Sequence, residues 1–134
     1  RCIDELSGGQ RQRVFIALAL AQQTDILFLD EPTTYLDIAY QVEILDLLKE
    51  LNQKKKTTIV MVLHDINLSS KYADYIFAMK DGNLIKEGRP EDIITADTMR
   101  DIYGIESVVI NDPISGSPMI IPISSFDKSL KEVG

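Results

Sequence analysis

Two short apolar runs in this sequence end in residues able to handle a proton and a cation. Ile26-Leu27-Phe28-Leu29 leads into Asp30-Glu31, and Thr58 to Leu63 leads into His64-Asp65. If the runs are neighbouring strands, the two carboxylates of Asp30 and Glu31 and the chain's one imidazole converge at one rim. Asp30, directly after its strand, suits Mg²⁺, which takes a few hard oxygens and keeps several waters. Glu31 could orient and deprotonate an attacking water, a role worth about 10²–10⁴ in rate. His64 could donate to a phosphate oxygen. Taken alone, each pair also has a plainer reading: loop polarity with Glu31 as a cap, and helix capping by His64-Asp65.

Ser7-Gly8-Gly9-Gln10 offers a different chemistry. Two glycines let a backbone approach a ligand closely. The first turn of a helix adds unpaired N–H groups and the positive end of the dipole, which together favour a phosphate. Ser7 with Gln10 three residues on is also a capping box, and the two readings are compatible.

The elements that must position these residues follow from periodicity. Ser7 to about Gln23 reads as a helix with Val14, Leu18 and Ala21 on one face. Asp25 to Asp30 and Thr57 to Leu63 are short, continuous and apolar, as expected for strands buried on both faces. Asp37 caps a helix to about Asn52 whose apolar face is Ile44, Leu45, Leu48 and Leu51, with the polar run Gln53 to Lys56 ending it. Asp65 caps a helix around Asn67 to Tyr72. Tyr75 to Met79 and Leu84 to Glu87 flank Lys80-Asp81-Gly82-Asn83, a hairpin signal. Pro90 opens one helical stretch and Thr95-Ala96-Asp97 another, ending near Gly104. Val108 to Ile110 and Met119 to Ile123 bracket a Pro/Gly/Ser loop as a terminal β-ribbon. Alternating helices and strands predict an α/β fold with a mostly parallel sheet, whose ligands sit beyond the carboxyl ends of strands.

Bulk properties exclude several classes. The chain has 134 residues, 45% hydrophobic and 26% charged, as in an ordinary globular protein. A formal charge of −7 argues against a nucleic-acid partner, which calls for a basic patch. Cys2 is the one cysteine, so no internal disulfide forms. No apolar run reaches the roughly 18 residues of a membrane helix.

With these motifs in view the sequence resembles ATP-binding-cassette (ABC) ATPases. Leu6 to Arg13 is similar to the ABC signature motif, and Ile26 to Glu31 to the Walker B strand with its glutamate. Thr34-Tyr35-Leu36-Asp37 resembles the D-loop, and His64 the switch histidine. The resemblance implies a P-loop NTPase core in which Asp30 holds Mg²⁺ through water, Glu31 is the general base and His64 contacts the γ-phosphate of ATP. It implies that Ser7, Gly8, Gly9 and Gln10 act in trans on a nucleotide held by a second ATPase subunit in a head-to-tail dimer, with Asp37 at the dimer interface. Glu31-Pro32-Thr33-Thr34-Tyr35-Leu36-Asp37-Ile38, Val62-Leu63-His64-Asp65-Ile66-Asn67-Leu68, Tyr72-Ala73-Asp74 and the tail Ile102-Tyr103-Gly104-Ile105 leading to Asp112-Pro113 narrow the likeness to importers of iron–siderophore, haem and cobalamin. Membrane permease subunits, a substrate-binding protein and a peripheral place on the cytoplasmic face of the membrane are implied with it.

No Gly-x-x-x-x-Gly-Lys-Ser/Thr run occurs in the 134 residues. The expectation is therefore that residues 1–134 are the C-terminal part of a nucleotide-binding domain, with the Walker A half absent and 105–134 a family-type tail. Losing about 4 kcal/mol of phosphate contacts weakens binding about a thousandfold, so the chain alone is expected neither to bind ATP usefully nor to hydrolyse it. The competing functions are an ABC ATPase that transports nothing, acting in DNA repair or on ribosomes, and a non-catalytic interaction module.

Overall fold

In the computed structural model, which describes residues 24–33 and 35–125, the two apolar runs are neighbouring strands. β1 (Ile26–Asp30) pairs in parallel with β2 (Thr58–Val62), Ile26 opposite Thr58 and Asp30 opposite Val62. A parallel pair needs a crossover, supplied by α1 (Ile38–Lys55). Asp37 starts α1 by accepting the Tyr40 N–H at 3.0 Å. Its end is set by Lys56, in the left-handed region at φ 59°, after Lys54 and Lys55 have placed two cations at the negative dipole end. Ile44, Leu45, Leu48 and Leu51 recur at helical spacing and are all buried, each contributing about 1.5–3 kcal/mol by leaving water.

The expectation that both strands are buried on two faces is corrected. Leu27 is buried and Leu29, Ile59 and Met61 partly so. Ile26, Phe28, Val60 and Val62 are exposed, Phe28 at 72%. The two strands are in register, so the period of two collects the exposed residues on one face. Side-chain identity made both faces look alike; only what packs on each face separates them.

These elements lie in a unit spanning Arg1–His64; a second spans Asp65–Gly134. The expected helix from Ser7 to Gln23, with Ser7, Gly8, Gly9 and Gln10, lies outside the described residues.

The second unit begins with α2 (Ile66–Tyr72), capped by Asp65, whose Oδ1 accepts the Leu68 N–H at 2.9 Å. β3 (Ile76–Lys80) and β4 (Asn83–Gly88) form an antiparallel hairpin. Asp81 (φ 51°) and Gly82 (φ 78°) both take positive φ, as a type I′ turn requires. α3 (Pro90–Ile93) opens on a proline, which needs no N–H partner at a first helical position. α4 (Ala96–Tyr103) is capped by Thr95 at one end and closed by left-handed Gly104 at the other. β5 (Ile105–Asn111) and β6 (Pro118–Ser125) are the expected ribbon, Val109 opposite Ile120. Ile93, Ile94, Met99 and Ile120 form the core of this unit, joined by Ile66, Ile76, Ala78, Ile105 and Val109.

Among the described residues the chain thus has one parallel and two antiparallel strand pairs with four helices, an α/β arrangement. No helix among them is long and apolar enough to cross a membrane.

Candidate functional site

Parallel pairing brings the carboxyl ends of β1 and β2 together, because strands that run the same way end on the same rim. Asp30, the last residue of β1, is level with Val62, the last of β2. One residue further, the Glu31 N–H donates to the Val62 carbonyl at 3.0 Å. Glu31 takes φ 51° to do so, a left-handed conformation that costs a side-chain-bearing residue about 1–2 kcal/mol. Strain of this kind persists where surrounding contacts over-determine it, and it is common at working sites. Pro32 comes next, fully buried, and fixes the chain's exit from the strand.

That backbone hydrogen bond orients the residues just past the end of each strand. His64 lies two residues beyond Val62, and its Nε2 hydrogen-bonds the Glu31 carboxylate Oε1. The pair is wet: the His64 side chain is 76% exposed and that of Glu31 36%. A carboxylate and an imidazole in direct contact can pass or share a proton and can aim a water. Asp30 is exposed at the same rim, where a hard oxygen ligand for Mg²⁺ fits the donor chemistry. Asp37, by contrast, is committed to capping α1, and Asp65 to capping α2. Between Asp30 and Asp37 the chain turns through Tyr35, which is left-handed at φ 64° and fully exposed.

Of the site residues expected from sequence, the fold places Asp30, Glu31 and His64 on one unit, with Glu31 and His64 in contact. Ser7, Gly8, Gly9 and Gln10 lie outside the described residues. Sequence reasoning gave no role to the Val62 carbonyl, which fixes the backbone of Glu31. A main-chain acceptor carries no signal in residue type. It also gave none to Asn67, which clamps the C-terminal ribbon. Its Nδ2 donates to the Ile120 carbonyl at 3.2 Å, and its Oδ1 accepts the Ile120 N–H at 2.8 Å.

Known proteins resemble this chain in sequence and in fold. A family model described as ABC transporter matches residues 1–34. A Bacillus subtilis (strain 168) protein named a probable siderophore transport system ATP-binding protein is 56% identical over 122 residues, 91% of this chain and 44% of that protein. A petrobactin import ATP-binding protein of Bacillus anthracis is 50% identical over 133 residues, 99% of this chain and 49% of that protein. Among solved structures, a transporter assigned to the metal-chelate type of ABC transporter, in an inward-facing conformation, superposes with TM-score 0.81. It has 30% identity and covers 97% of this chain and 51% of its own. A dimeric ATP-binding cassette in a post-hydrolysis state with ADP and phosphate superposes with TM-score 0.59 and 42% identity, over 65% of this chain and 37% of its own. The chain spans about half the length of the curated relatives it matches. Over nearly its whole length the chain is similar to ATP-binding proteins of ABC transporters, and its α/β fold is of the P-loop NTPase kind.

Proposed function

We propose that this chain is the C-terminal part of the ATP-binding subunit of an ABC importer, a subunit that couples ATP hydrolysis to uptake of an iron–siderophore, haem or cobalamin-type metal chelate. The observation that carries the reading is the Glu31–His64 contact at the carboxyl rim of β1 and β2. The names of the curated relatives, siderophore and petrobactin transport proteins, support the substrate class.

In this reading Glu31 is the general base, taking a proton from the attacking water. His64 holds Glu31 in place and donates to the γ-phosphate. Asp30 would hold Mg²⁺ through water; the ion supplies charge neutralisation at the phosphates. Ser7, Gly8, Gly9 and Gln10 serve the nucleotide of a second ATPase subunit, with Asp37 near the interface between the two. The solved relative that is a dimer with ADP and phosphate supports that partner. Residues 105–134 form the tail of the domain, and the complete protein works against membrane permease subunits at the cytoplasmic face of the membrane.

Residues 1–134 hold no phosphate-cradling lysine loop. Titration calorimetry of this chain with Mg-ATP is expected to give no low-micromolar binding, and such a signal would overturn that part. In a complete cassette carrying this segment, Glu31→Gln is expected to lower turnover about 10²–10⁴-fold with ATP binding kept. Turnover near the parent value would reassign the base.

A further inference from the structure

Within the unit Arg1–His64, α1 is tied at both ends to the chain that adjoins it. Each tie is a side-chain amide reaching a backbone carbonyl five positions away. Near its start Gln41 Nε2 donates to the Leu36 carbonyl at 3.0 Å. Toward its end Asn52 Nδ2 donates to the Thr57 carbonyl at 2.8 Å. Thr57 leads straight into β2, whereas Leu36 closes the loop that leaves β1. The two bonds are alike in chemistry and stand about 16 Å apart along the helix axis.

The bond near the start serves a group that the helix ladder leaves out. Asp37 is the N-cap, and the ladder opens with the Gln41 N–H on the Asp37 carbonyl at 3.0 Å. The Leu36 carbonyl lies one residue ahead of that ladder and needs a partner of its own. Helices often fix the entry angle of the chain by packing an apolar residue just before the cap on another four positions after it. Leu36 is the first of these and is buried, but Gln41 stands where its apolar partner would be. A hydrogen bond, which has direction, here replaces an apolar contact, which has none. The loop has further anchors: Pro32 is fully buried, and the Leu36 N–H donates to the Thr33 carbonyl at 3.3 Å. Tyr35 stands fully exposed at φ 64°, a conformation that a residue with a side chain keeps only where its surroundings hold it.

We propose that Gln41 is a positioning residue whose amide fixes the loop running from Glu31 to Asp37, and so holds the general base and the face offered to a second ATPase subunit in one arrangement. The roles of Glu31 and Asp37 rest on the function proposed above; the clamp itself can be tested without them.

Gln41→Glu is the informative change. It keeps the length and helical preference of the side chain and brings a negative charge near the positive end of α1, so the helix is not weakened. Only the donor is lost. In the full chain with no nucleotide, the Leu36 amide is expected to exchange roughly tenfold faster, as loss of an ordinary hydrogen bond implies. Asn52→Ala removes the same kind of bond at the other end of α1. It is expected to speed exchange of the Thr58 amide, held on the Asp25 carbonyl at 2.9 Å, and to leave Leu36 as it was. In a complete cassette carrying this segment, Gln41→Glu is expected to lower kcat several-fold with KM for ATP unchanged, and Asn52→Ala to change neither. Unaltered Leu36 exchange in Gln41→Glu would overturn the clamp. Equal acceleration of Leu36 in Asn52→Ala would also overturn it, since general loosening then accounts for the effect. Faster exchange with a parent-like kcat would make Gln41 a structural residue and overturn the positioning role. Should Gln41→Glu not fold, Gln41→Ala decides by the same criteria. Lost turnover in Glu31→Gln beside parent-like turnover in Gln41→Glu would remove the positioning role and keep the catalytic reading. Parent-like turnover in Glu31→Gln would overturn the catalytic reading instead, with Leu36 exchange still deciding the clamp.

Discussion

The Glu31 N–H donates to the Val62 carbonyl at 3.0 Å, and this bond carries the β1–β2 ladder one residue past the end of β1, onto the last residue of β2. It holds Glu31 in a left-handed conformation and faces its carboxylate toward His64. The site is therefore made by backbone pairing first and by side chains second.

Glycine tolerates positive φ without the clash a Cβ creates. Glu31→Gly is accordingly expected to be more stable than Glu31→Ala by about 1 kcal/mol, since both remove the carboxylate and only one removes the strain. Urea denaturation of the two variants measures the difference. Equal midpoints would show that the Glu31 conformation stores no strain.

Leu48 is 1% exposed on the inner stripe of α1, whereas Ile38, at the start of the same helix, is 75% exposed. Leu48→Ala is expected to cost about 2–5 kcal/mol, a large part of a domain's total. Ile38→Ala is expected to stay within about 0.5 kcal/mol. Denaturant midpoints of both variants check the contrast, and similar losses would mean that Ile38 packs on something.

Much of this was legible in the sequence, and the reasons are local. Ile44, Leu45, Leu48 and Leu51 repeat at helical spacing, Asp37 and Asp65 sit where caps belong, and Asp81-Gly82 demands positive φ. The Asp30-Glu31 and His64 rim was legible only on the condition that two runs about thirty residues apart were neighbours, which the parallel register supplies. Exposure of Phe28 and Val60 was not legible, because β1 reads as apolar on both faces and nothing in its own residues says which face is covered. The Asn67–Ile120 clamp was hidden for the same reason: it joins positions 53 apart, and an asparagine near a helix start looks like ordinary polarity.

The exposed face of Ile26, Phe28, Val60 and Val62 has a solution consequence. Contiguous apolar surface drives association, and an uncovered sheet invites it further. Sedimentation of the chain is expected to show concentration-dependent self-association. Phe28→Lys, which places a charge on the most exposed of the four, is expected to reduce it with little loss of stability. A dilute, clean monomer in the parent chain would show that this face is covered in solution.

Asp112 closes the loop between β5 and β6 by accepting the N–H groups of Ile114, at 2.8 Å, and Ser115, at 3.3 Å. Those two bonds hold its carboxyl below the ordinary value of 3.8, with a smaller contribution from Lys71. A carboxyl depressed in the fold stabilises fully above its unfolded value and loses that stabilisation as the pH falls through the folded one. The ribbon is therefore expected to loosen in acid, below about pH 4, with the Ile114 and Ser115 amide signals moving together as Asp112 takes up its proton. Asp112→Asn keeps an acceptor but no titrating charge, so its loop amides should hold nearly constant over the same range. Ribbon signals that track pH identically in the parent and in Asp112→Asn would assign the acid response to another carboxyl.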